Sequence, residues 1–304
     1  MLNCEALETA IQQYILKVND SLSAKLKLAG FLETDFTVEE SEHLEDEICS
    51  ILEDEIDDIC ELAENCKTAE EFAEKFAKFK NKDITAKQLR EVLSSHYSNM
   101  APSLIESYIQ AVDKELKFVR LSKGLSKWIS SWSEELADKM KLTTHQKIEE
   151  ILSKRLTDGS GIEKIIQDLQ SEGIRNERYR ARSTAITESL RAHSAASQEA
   201  AVQNPCVSSK VWRHSGTRNN HPRPNHVDMD GQVVDKHKPF ILVGADGQLY
   251  SPMYPRDPVL PAGETVNCHC IAQYIVNEDI FGLSLEVRQQ MQEDALRELD
   301  ETDL

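Results

Sequence analysis

Long apolar runs are absent from this sequence. No stretch approaches the roughly 20 apolar residues that a helix needs to cross a bilayer, and the N-terminal segment has neither the basic region nor the long apolar core of a signal peptide. We therefore expect neither a membrane protein nor a conventionally secreted one. Glycine and proline are also scarce, with 11 and 9 among 304 residues, which excludes a collagen-like or low-complexity chain.

The best-known sequence signatures of enzymes are missing as well. There is no Walker A sequence, no glycine-rich dinucleotide fingerprint, no His-Glu-x-x-His and no Gly-x-Ser-x-Gly. Aromatic residues make up only 6% whereas apolar residues reach 40%, a balance that suits a helix-rich globular chain. The seven cysteines are odd in number and irregularly spaced, so they do not form a disulfide framework. Reduced thiols in a cytosolic setting are therefore expected.

Positive charge is scarce at both ends of the chain. The net charge of −18 combines −14 from residues 1–80 (7 basic, 21 acidic), −7 from residues 277–304 (2 basic, 9 acidic) and +3 from the segment between them. This distribution argues against non-specific wrapping of nucleic acid. Residues 33–64 hold 15 acids and no Lys or Arg, yet their apolar residues recur at helical spacing. We predict an amphipathic helix whose acidic face is solvated, docks to a basic partner or keeps copies apart.

Apolar periodicity predicts helices along most of the first 203 residues. The position of Pro102 is typical of a helix start, Thr143 or Thr144 is typical of an N-terminal cap, and Gly173 of a helix end. The predicted helices are 5–30, 33–64, 68–80, 84–97, 102–121, 143–156, 162–171, 176–203 and 281–300.

The pattern changes after Gln203. Short β-like runs occur at 207–212, 240–243 and 271–276, separated by loops rich in Pro, Gly, Asn, Asp and His. The predicted fold class is therefore α+β, with a mostly helical N-terminal and central part followed by a small loop-rich C-terminal module with short strands. The predicted regions are an acidic helical N-terminal region (1–121), a central helical part (122–204), the loop-rich module (205–280) and an acidic helical tail (281–304).

Histidine and cysteine concentrate in the loop-rich module. Five of the nine histidines and the only closely spaced cysteine pair, Cys268 and Cys270, fall between residues 214 and 270. A segment with little apolar pattern and clustered soft ligands suggests a structural zinc ion, held by two thiolates and two imidazoles. The other interpretation is a loop domain tied by hydrogen bonds, in which these residues have unrelated local roles.

Two further patterns point to other functions. His226, Asp228 and Asp230 could serve a metal-dependent nuclease or hydrolase, although Asp-x-Asp-Gly is also ordinary turn chemistry. Residues 175–223 hold 9 basic and 3 acidic residues, and three arginines there share a helix face. That face would suit DNA phosphates in a DNA-binding accessory protein, or would be solvated or paired with neighbouring acids. The three are Arg175, Arg178 and Arg182.

An ordered series of motifs resembles the phage Mu protein F-like family, which comprises minor head, or head morphogenesis, proteins of tailed phages. The resemblance covers about residues 140–276 and includes a Gly-Ser turn at 157–162 and the Thr187-Glu188 pair. Two positions depart from the family pattern, since Ile186 and His269 stand where the family has arginine. The downstream motifs are Arg223-Pro-Asn-His226, Asp230-Gly231, Gln248-Leu249-Tyr250, Pro255-Arg256-Asp257-Pro258, Pro261, Glu264 and Asn267-Cys268-His269-Cys270.

The resemblance implies a non-catalytic virion component that acts in head morphogenesis. The implied protein is associated with the portal and takes part in DNA packaging or ejection. The expected partners are the phage portal protein, the scaffold or major capsid protein, and packaged DNA, with no membrane and no small-molecule substrate. The expected locations are the phage head and, during assembly, the host cytoplasm.

The resemblance also strengthens the zinc hypothesis, because His226, Cys268 and Cys270 are family motif positions. The fourth ligand is open among His214, His221, His237 and His269, and we include His221 in the predicted set. Arg223 and Asp230 are expected to form hydrogen bonds within the loops, and Trp212 to pack where the module meets the helices. The full set of expected structural motif residues is Arg223, Asp230, Gly231, Asp257, Asn267, Glu188 and Trp212.

Overall fold

A computed structural model describes residues 21–215 and 222–301, without the side chains of residues 171–177. These residues divide into two compact units. We call residues 42–98 and 127–185 the helical unit, and residues 21–41, 99–126 and 186–301 the strand-containing unit. The predicted helix over 5–30 lies partly outside the described residues, and its described part, 21–29, is helical and is named α1.

Long helices account for most of the described chain up to residue 203, and several of the predicted helices are merged or extended. The acidic stretch forms one continuous helix, as the spacing of its apolar residues predicts. The long helices are α2 (Thr34–Glu64), α3 (Ala69–Phe79), α4 (Ile84–Val112), α5 (Lys123–Asp158) and α6 (Ile162–Gln203). Thr68 caps α3, because its side chain accepts a hydrogen bond from the Glu71 backbone N–H.

Three features predicted to mark helix boundaries, Pro102, the Thr143-Thr144 pair and Gly173, lie inside helices instead. Pro102 lies inside α4 rather than at a helix start, and the flanking Met100, Ala101, Leu104 and Ile105 are buried. Their packing outweighs the roughly 3 kcal/mol that an interior proline costs. The helix predicted over 102–121 therefore belongs to α4 and ends at Val112.

Thr143 and Thr144 do not cap a helix, because both lie within α5. Their hydroxyls donate to the carbonyls of Lys139 and Met140, four residues back, so these polar groups are satisfied inside the helix. The predicted end at Gly173 is also wrong, since α6 continues through it. An interior glycine costs only about 1 kcal/mol relative to alanine.

The helical unit has an apolar core made by four helices. Ile59 of α2, Phe72 and Phe76 of α3, and Ile165 of α6 are almost fully buried there, and α5 contributes Ile148 and Leu152. Trp132 of α5 donates from Nε1 to the Tyr97 hydroxyl at 3.0 Å, which satisfies a buried indole.

The strand-containing unit holds the short strands. Strand β1 (Val207–Arg213) lies between β2 (Val233–Asp235) and β5 (Ile271–Val276) in an antiparallel sheet. Strands β3 (Leu242–Val243) and β4 (Leu249–Tyr250) form a separate antiparallel pair. The predicted strands at 207–212 and 271–276 are confirmed, and the one at 240–243 is shortened to β3.

Short helices complete this unit and carry the loops between the strands. They are α7 (Pro224–Asp228), α8 (Ala262–Thr265) and α9 (Glu278–Phe281), followed by the longer α10 (Leu285–Glu301). The buried Arg288 of α10 pairs with Asp113 and Glu115, so this predicted helical tail packs onto its own unit. The predicted α+β class is confirmed. Among the described residues, no helix combines the length and apolar character needed to cross a bilayer.

Candidate metal centre

Two turns bring the predicted ligands together. Pro224 opens α7 at the first helical position, where its missing N–H is harmless, and the helix carries His226 inward. After α8, Asn267 adopts a left-handed backbone with φ of 57°, a conformation that asparagine tolerates better than most residues. Cys268 and Cys270 follow directly, and β5 begins at the next residue. All three ligand candidates are about 98% buried.

The spacing of the three side chains matches a zinc site. His226 Nδ1 lies 3.6 Å from Cys268 Sγ and 3.6 Å from Cys270 Sγ. With Zn–S near 2.3 Å and Zn–N near 2.0–2.1 Å, tetrahedral geometry requires an S···N separation of about 3.6 Å. Among the described residues, this is the one group that brings three potential ligand atoms within 4.8 Å of one another. The donor set and its spacing therefore fit zinc.

Glu264 of α8 sets the orientation of the histidine. His226 Nε2 lies 2.9 Å from Glu264 Oε2, and both side chains are buried. A carboxylate only accepts hydrogen bonds, so Nε2 carries the proton and Nδ1 presents its lone pair to the two sulfurs. The other oxygen, Oε1, accepts from Asn225 Nδ2 at 3.0 Å and from the Ala245 backbone N–H at 2.8 Å. This carboxylate–histidine pair is the usual support of a metal-bound imidazole.

The two thiols have opposite tendencies to ionise. The pKa of Cys268 lies well below its ordinary value chiefly because Cys270 donates a hydrogen bond to its sulfur, with further help from the Arg256 guanidinium. The same contact raises the pKa of Cys270, together with burial. One thiolate is therefore already favoured without a metal, and a bound cation would favour the second.

Arg256 is a buried cation beside the cysteines. Its side chain is 1% exposed, and Nη1 donates to the carbonyls of Cys268 at 2.7 Å and Cys270 at 2.9 Å. Nε donates to the Leu190 carbonyl at 3.0 Å, and Nη2 to Ser194 Oγ at 2.5 Å. The guanidinium thus fixes the backbone of the Cys-x-Cys segment and places a positive charge near both sulfurs.

A fourth ligand is suggested by His214, just after β1. Its Nδ1 lies 3.7 Å from Cys270 Sγ, although it is not part of the group whose ligand atoms are mutually within 4.8 Å. Its backbone N–H donates to Asp230 Oδ1 at 2.9 Å, so the carboxylate holds the start of this loop. His221, the predicted fourth ligand, lies outside the described residues.

Several predicted motif residues tie the loops around this centre. Arg223 donates to the carbonyls of Gly263 at 2.7 Å and Val266 at 2.6 Å, which joins α7 to α8. Gly231 has φ of 83°, a backbone conformation that favours glycine. Trp212 is fully buried and packs edge-to-face against His226, with ring centroids 5.8 Å apart.

Two acidic motif residues have structural partners. Asp257 is buried and accepts from the backbone N–H groups of Met253 and Val259 at 2.8 and 3.0 Å, while burial raises its pKa. Glu188 of α6 pairs with Arg191, whose Nε donates to Glu188 Oε2 at 2.7 Å. Arg191 also donates to the backbone carbonyl of Arg256. This buried chain of contacts links α6 to the loop that carries Arg256.

Apart from His226, the residues of the other two hypotheses do not join this ligand group. Asp228 is exposed, and neither it nor Asp230 joins His226 in the ligand group found among the described residues. In the helical unit, Arg182 Nη1 lies 2.8 Å from Glu45 Oε2, and Arg178 Nη2 lies 3.9 Å from Asp46 Oδ1. The side chain of Arg175 is not described. DNA contact by these arginines stays a prediction, and the two described ones face acids of α2.

Sequence reasoning missed three contributors to the site. Glu264 and Arg256 were recognised only as members of motifs, and Arg191 was not singled out. Nothing in their spacing indicates burial, because Glu, Arg and Asp are usually exposed. For Glu264 and Arg256, a useful signal would have been that they lie in a segment with too few apolar residues to make a core.

The site thus lies in a small module of short strands that follows a long helical part of the chain. Residues 146–273 match the family described as "Phage Mu protein F like protein", and the chain belongs to this phage head morphogenesis family. Over 218 residues it is 37% identical to "Uncharacterized protein YqbB" of Bacillus subtilis (strain 168), a match that covers 72% of this chain and 70% of that relative. No solved structure matches.

Proposed function

We propose that the chain is a non-catalytic minor head protein of a tailed phage, and that a structural zinc ion holds its C-terminal module together. The family supports the role in head morphogenesis and a place in the virion. The single observation that carries the zinc proposal is the buried set of one imidazole nitrogen and two sulfurs, oriented by Glu264.

The centre has the properties of a structural site rather than a catalytic one. His226, Cys268 and Cys270 are buried, whereas a catalytic zinc keeps an open position for water or substrate. A metal bound here would cross-link residues 42 positions apart in the sequence. Closing a loop of that length contributes about 4 kcal/mol in the chain-entropy picture.

The partner that we propose is the portal protein, approached through the acidic residues of α2. Most outward residues of this helix are acidic, and residues 33–64 contain no Lys or Arg. A basic portal surface would be attracted by this charge, and salt would screen the attraction. Binding to purified portal that does not change between low and high ionic strength would contradict this part of the proposal.

Metal content provides the direct test of the zinc site. Elemental mass spectrometry of the purified protein should find about one zinc per chain, and Cys268→Ser should lose it. Cys206→Ser is the matched control, because Cys206 is a buried thiol of the same unit outside the ligand group. The same zinc content in wild type and Cys268→Ser would refute the site.

Particle proteomics tests the assembly role separately. The protein should be found in purified proheads and virions at a few copies per particle. Its absence from both would contradict the assembly role, whatever the metal analysis shows.

A further inference from the structure

Trp212 carries a buried polar group that has no partner beside the candidate metal centre. The side chain is fully buried, in the same apolar cluster as Cys268 and Cys270. Its Nε1–H has no hydrogen-bond partner among the residues that the structure describes. A buried indole N–H usually finds an acceptor, and burying it without one costs free energy. This donor therefore points to an acceptor within the cluster.

The indole ring is held in place from several sides. It packs edge-to-face on His226, with centroids 5.8 Å apart and planes at 89°, and on Phe240 at 5.3 Å and 86°. The backbone N–H of Trp212 donates to the Gln232 carbonyl at 3.0 Å, and its carbonyl accepts from the Gly231 N–H at 2.9 Å. Because these contacts fix the ring, its N–H can serve only an acceptor that is already close.

The register of the sheet places Cys270 beside this ring. Trp212 of β1 lies opposite Ala272 of β5, and Cys270 directly precedes β5. Side chains two residues apart in a strand share a face, so Cys270 is a diagonal neighbour of Trp212, within reach of an aromatic side chain. The same register puts His214 opposite Cys270, and its Nδ1 does lie 3.7 Å from that sulfur. Cys270 is therefore the acceptor that the register offers.

The charge environment of Cys270 agrees with this contact. The hydrogen bond with Cys268 and burial raise its pKa, whereas the Arg256 guanidinium and the Trp212 N–H act in the opposite direction. A thiol sulfur is only a weak acceptor, while an ionised acceptor forms a shorter and stronger hydrogen bond. The indole therefore favours the thiolate form of Cys270, which is the form that binds metal.

We propose that Trp212 is a positioning residue of the zinc site, whose Nε1–H donates a hydrogen bond to the metal-bound thiolate of Cys270. This inference rests on the zinc site of the proposed function. The hydrogen bond stabilises the negative charge on the sulfur and so helps the site to retain its metal. Trp212 would then support a thiolate as Glu264 supports the imidazole.

Cadmium NMR tests this hydrogen bond directly. The full chain, with its three tryptophans labelled with ¹⁵N, is loaded with ¹¹³Cd in place of zinc, and the ¹¹³Cd signal shows whether the site is filled. We expect the Trp212 indole proton to move downfield on loading and to couple to ¹¹³Cd across the hydrogen bond. Trp128 and Trp132 of the helical unit are internal controls, and their indole signals should not respond.

A variant tests what the donor contributes. Trp212→Phe removes the N–H and keeps an aromatic ring, and circular dichroism checks its fold first. We expect it to bind zinc about tenfold more weakly. In cobalt-loaded protein, the sulfur-to-metal charge-transfer band should shift to lower energy, because the thiolate loses a donor; a packing role alone would not move this band. Trp128→Phe is the matched control, since Trp128 Nε1 is also buried without a partner among the described residues.

The results distinguish failure of the zinc site from failure of this inference. If no cadmium binds, both are refuted. If cadmium fills the site while the Trp212 indole proton neither moves nor couples, the zinc site stands and the hydrogen bond is refuted. An unchanged cobalt band in folded Trp212→Phe would also refute it. If that variant does not fold, the cadmium experiment on the wild type decides.

Discussion

Replacing Glu264 by glutamine tests how the metal centre is built, because the change removes little volume and no more than one acceptor site. In the wild type, Oε2 accepts from His226 while Oε1 accepts from Asn225 and Ala245. A glutamine offers one oxygen and one NH₂ group. If its oxygen faces His226, its NH₂ group faces the donors of Asn225 and Ala245 and cannot accept from them. If its NH₂ faces His226, the imidazole must place its proton on Nδ1, toward the sulfurs.

Either outcome weakens zinc binding. Removing a partner of this kind from a metal-bound histidine typically lowers metal affinity 10- to 100-fold, which corresponds to about 1.4–2.7 kcal/mol. The loss of a buried charged hydrogen bond is of similar size, about 1.5–3 kcal/mol. We therefore expect Glu264→Gln to bind zinc at least about tenfold more weakly than the wild type.

The assay is competition for zinc with a chelator of known affinity at fixed pH, after circular dichroism has confirmed the fold. Asn225→Ala is the control, since it removes a donor to Glu264 Oε1 and leaves the contact with His226. Zinc affinity of the Glu264→Gln variant within twofold of the wild type would refute the argument that this carboxylate sets the histidine tautomer.

Three further predictions concern stability. Arg256→Lys should lower the free energy of unfolding by about 3 kcal/mol, because an ammonium cannot reach all four buried acceptors of the guanidinium; an unchanged urea midpoint would contradict this. Tyr97→Phe should cost about 1 kcal/mol, since it removes the hydroxyl that accepts a hydrogen bond from the buried Trp132 Nε1, and thermal unfolding equal to wild type would count against it. Burial, with help from Arg256, lowers the pKa of His193 to about 3. Between pH 6.5 and 3, therefore, the unfolded chain binds a proton at His193 and the folded chain does not. The free energy of unfolding should then fall by about 1.4 kcal/mol for each pH unit of acidification. In metal-free protein, His193→Gln should flatten this slope between pH 6 and 4; identical slopes in both proteins would show that His193 does not cause it.

Much of the fold could be predicted because its signals are local. The apolar spacing in residues 33–64 predicts α2 despite the 15 acids of that stretch, and the run at 271–276, which contains Ile, Tyr and Val, is the observed β5. The errors at Pro102, Thr143 and Gly173 share a cause. Each residue favours a helix boundary in isolation. Packing allows the helix to continue at Pro102 and a hydrogen bond to the preceding turn does so at Thr143, while an interior glycine at position 173 costs little.

The candidate site could be predicted only in part. His226, Cys268 and Cys270 are recognisable from residue type and motif order, and the structure brings all three together. The contacts of Glu264 and Arg256 depend on how α8 and the loop before it pack against α6 and α7. Such contacts join residues up to 66 positions apart in the sequence, so no local sequence pattern predicts them.

The zinc cross-link proposed at His226, Cys268 and Cys270 would have a consequence for the redox conditions in which the protein must persist. A phage protein is made in the reducing interior of its host, where structural disulfides rarely persist, and a particle later meets oxidising surroundings. A zinc cross-link holds under both conditions. Once the metal leaves outside the cell, Cys268 and Cys270 become free thiols that oxidise without a reductant to restore them. Retention of the metal would therefore determine how long this module keeps its fold in a released particle.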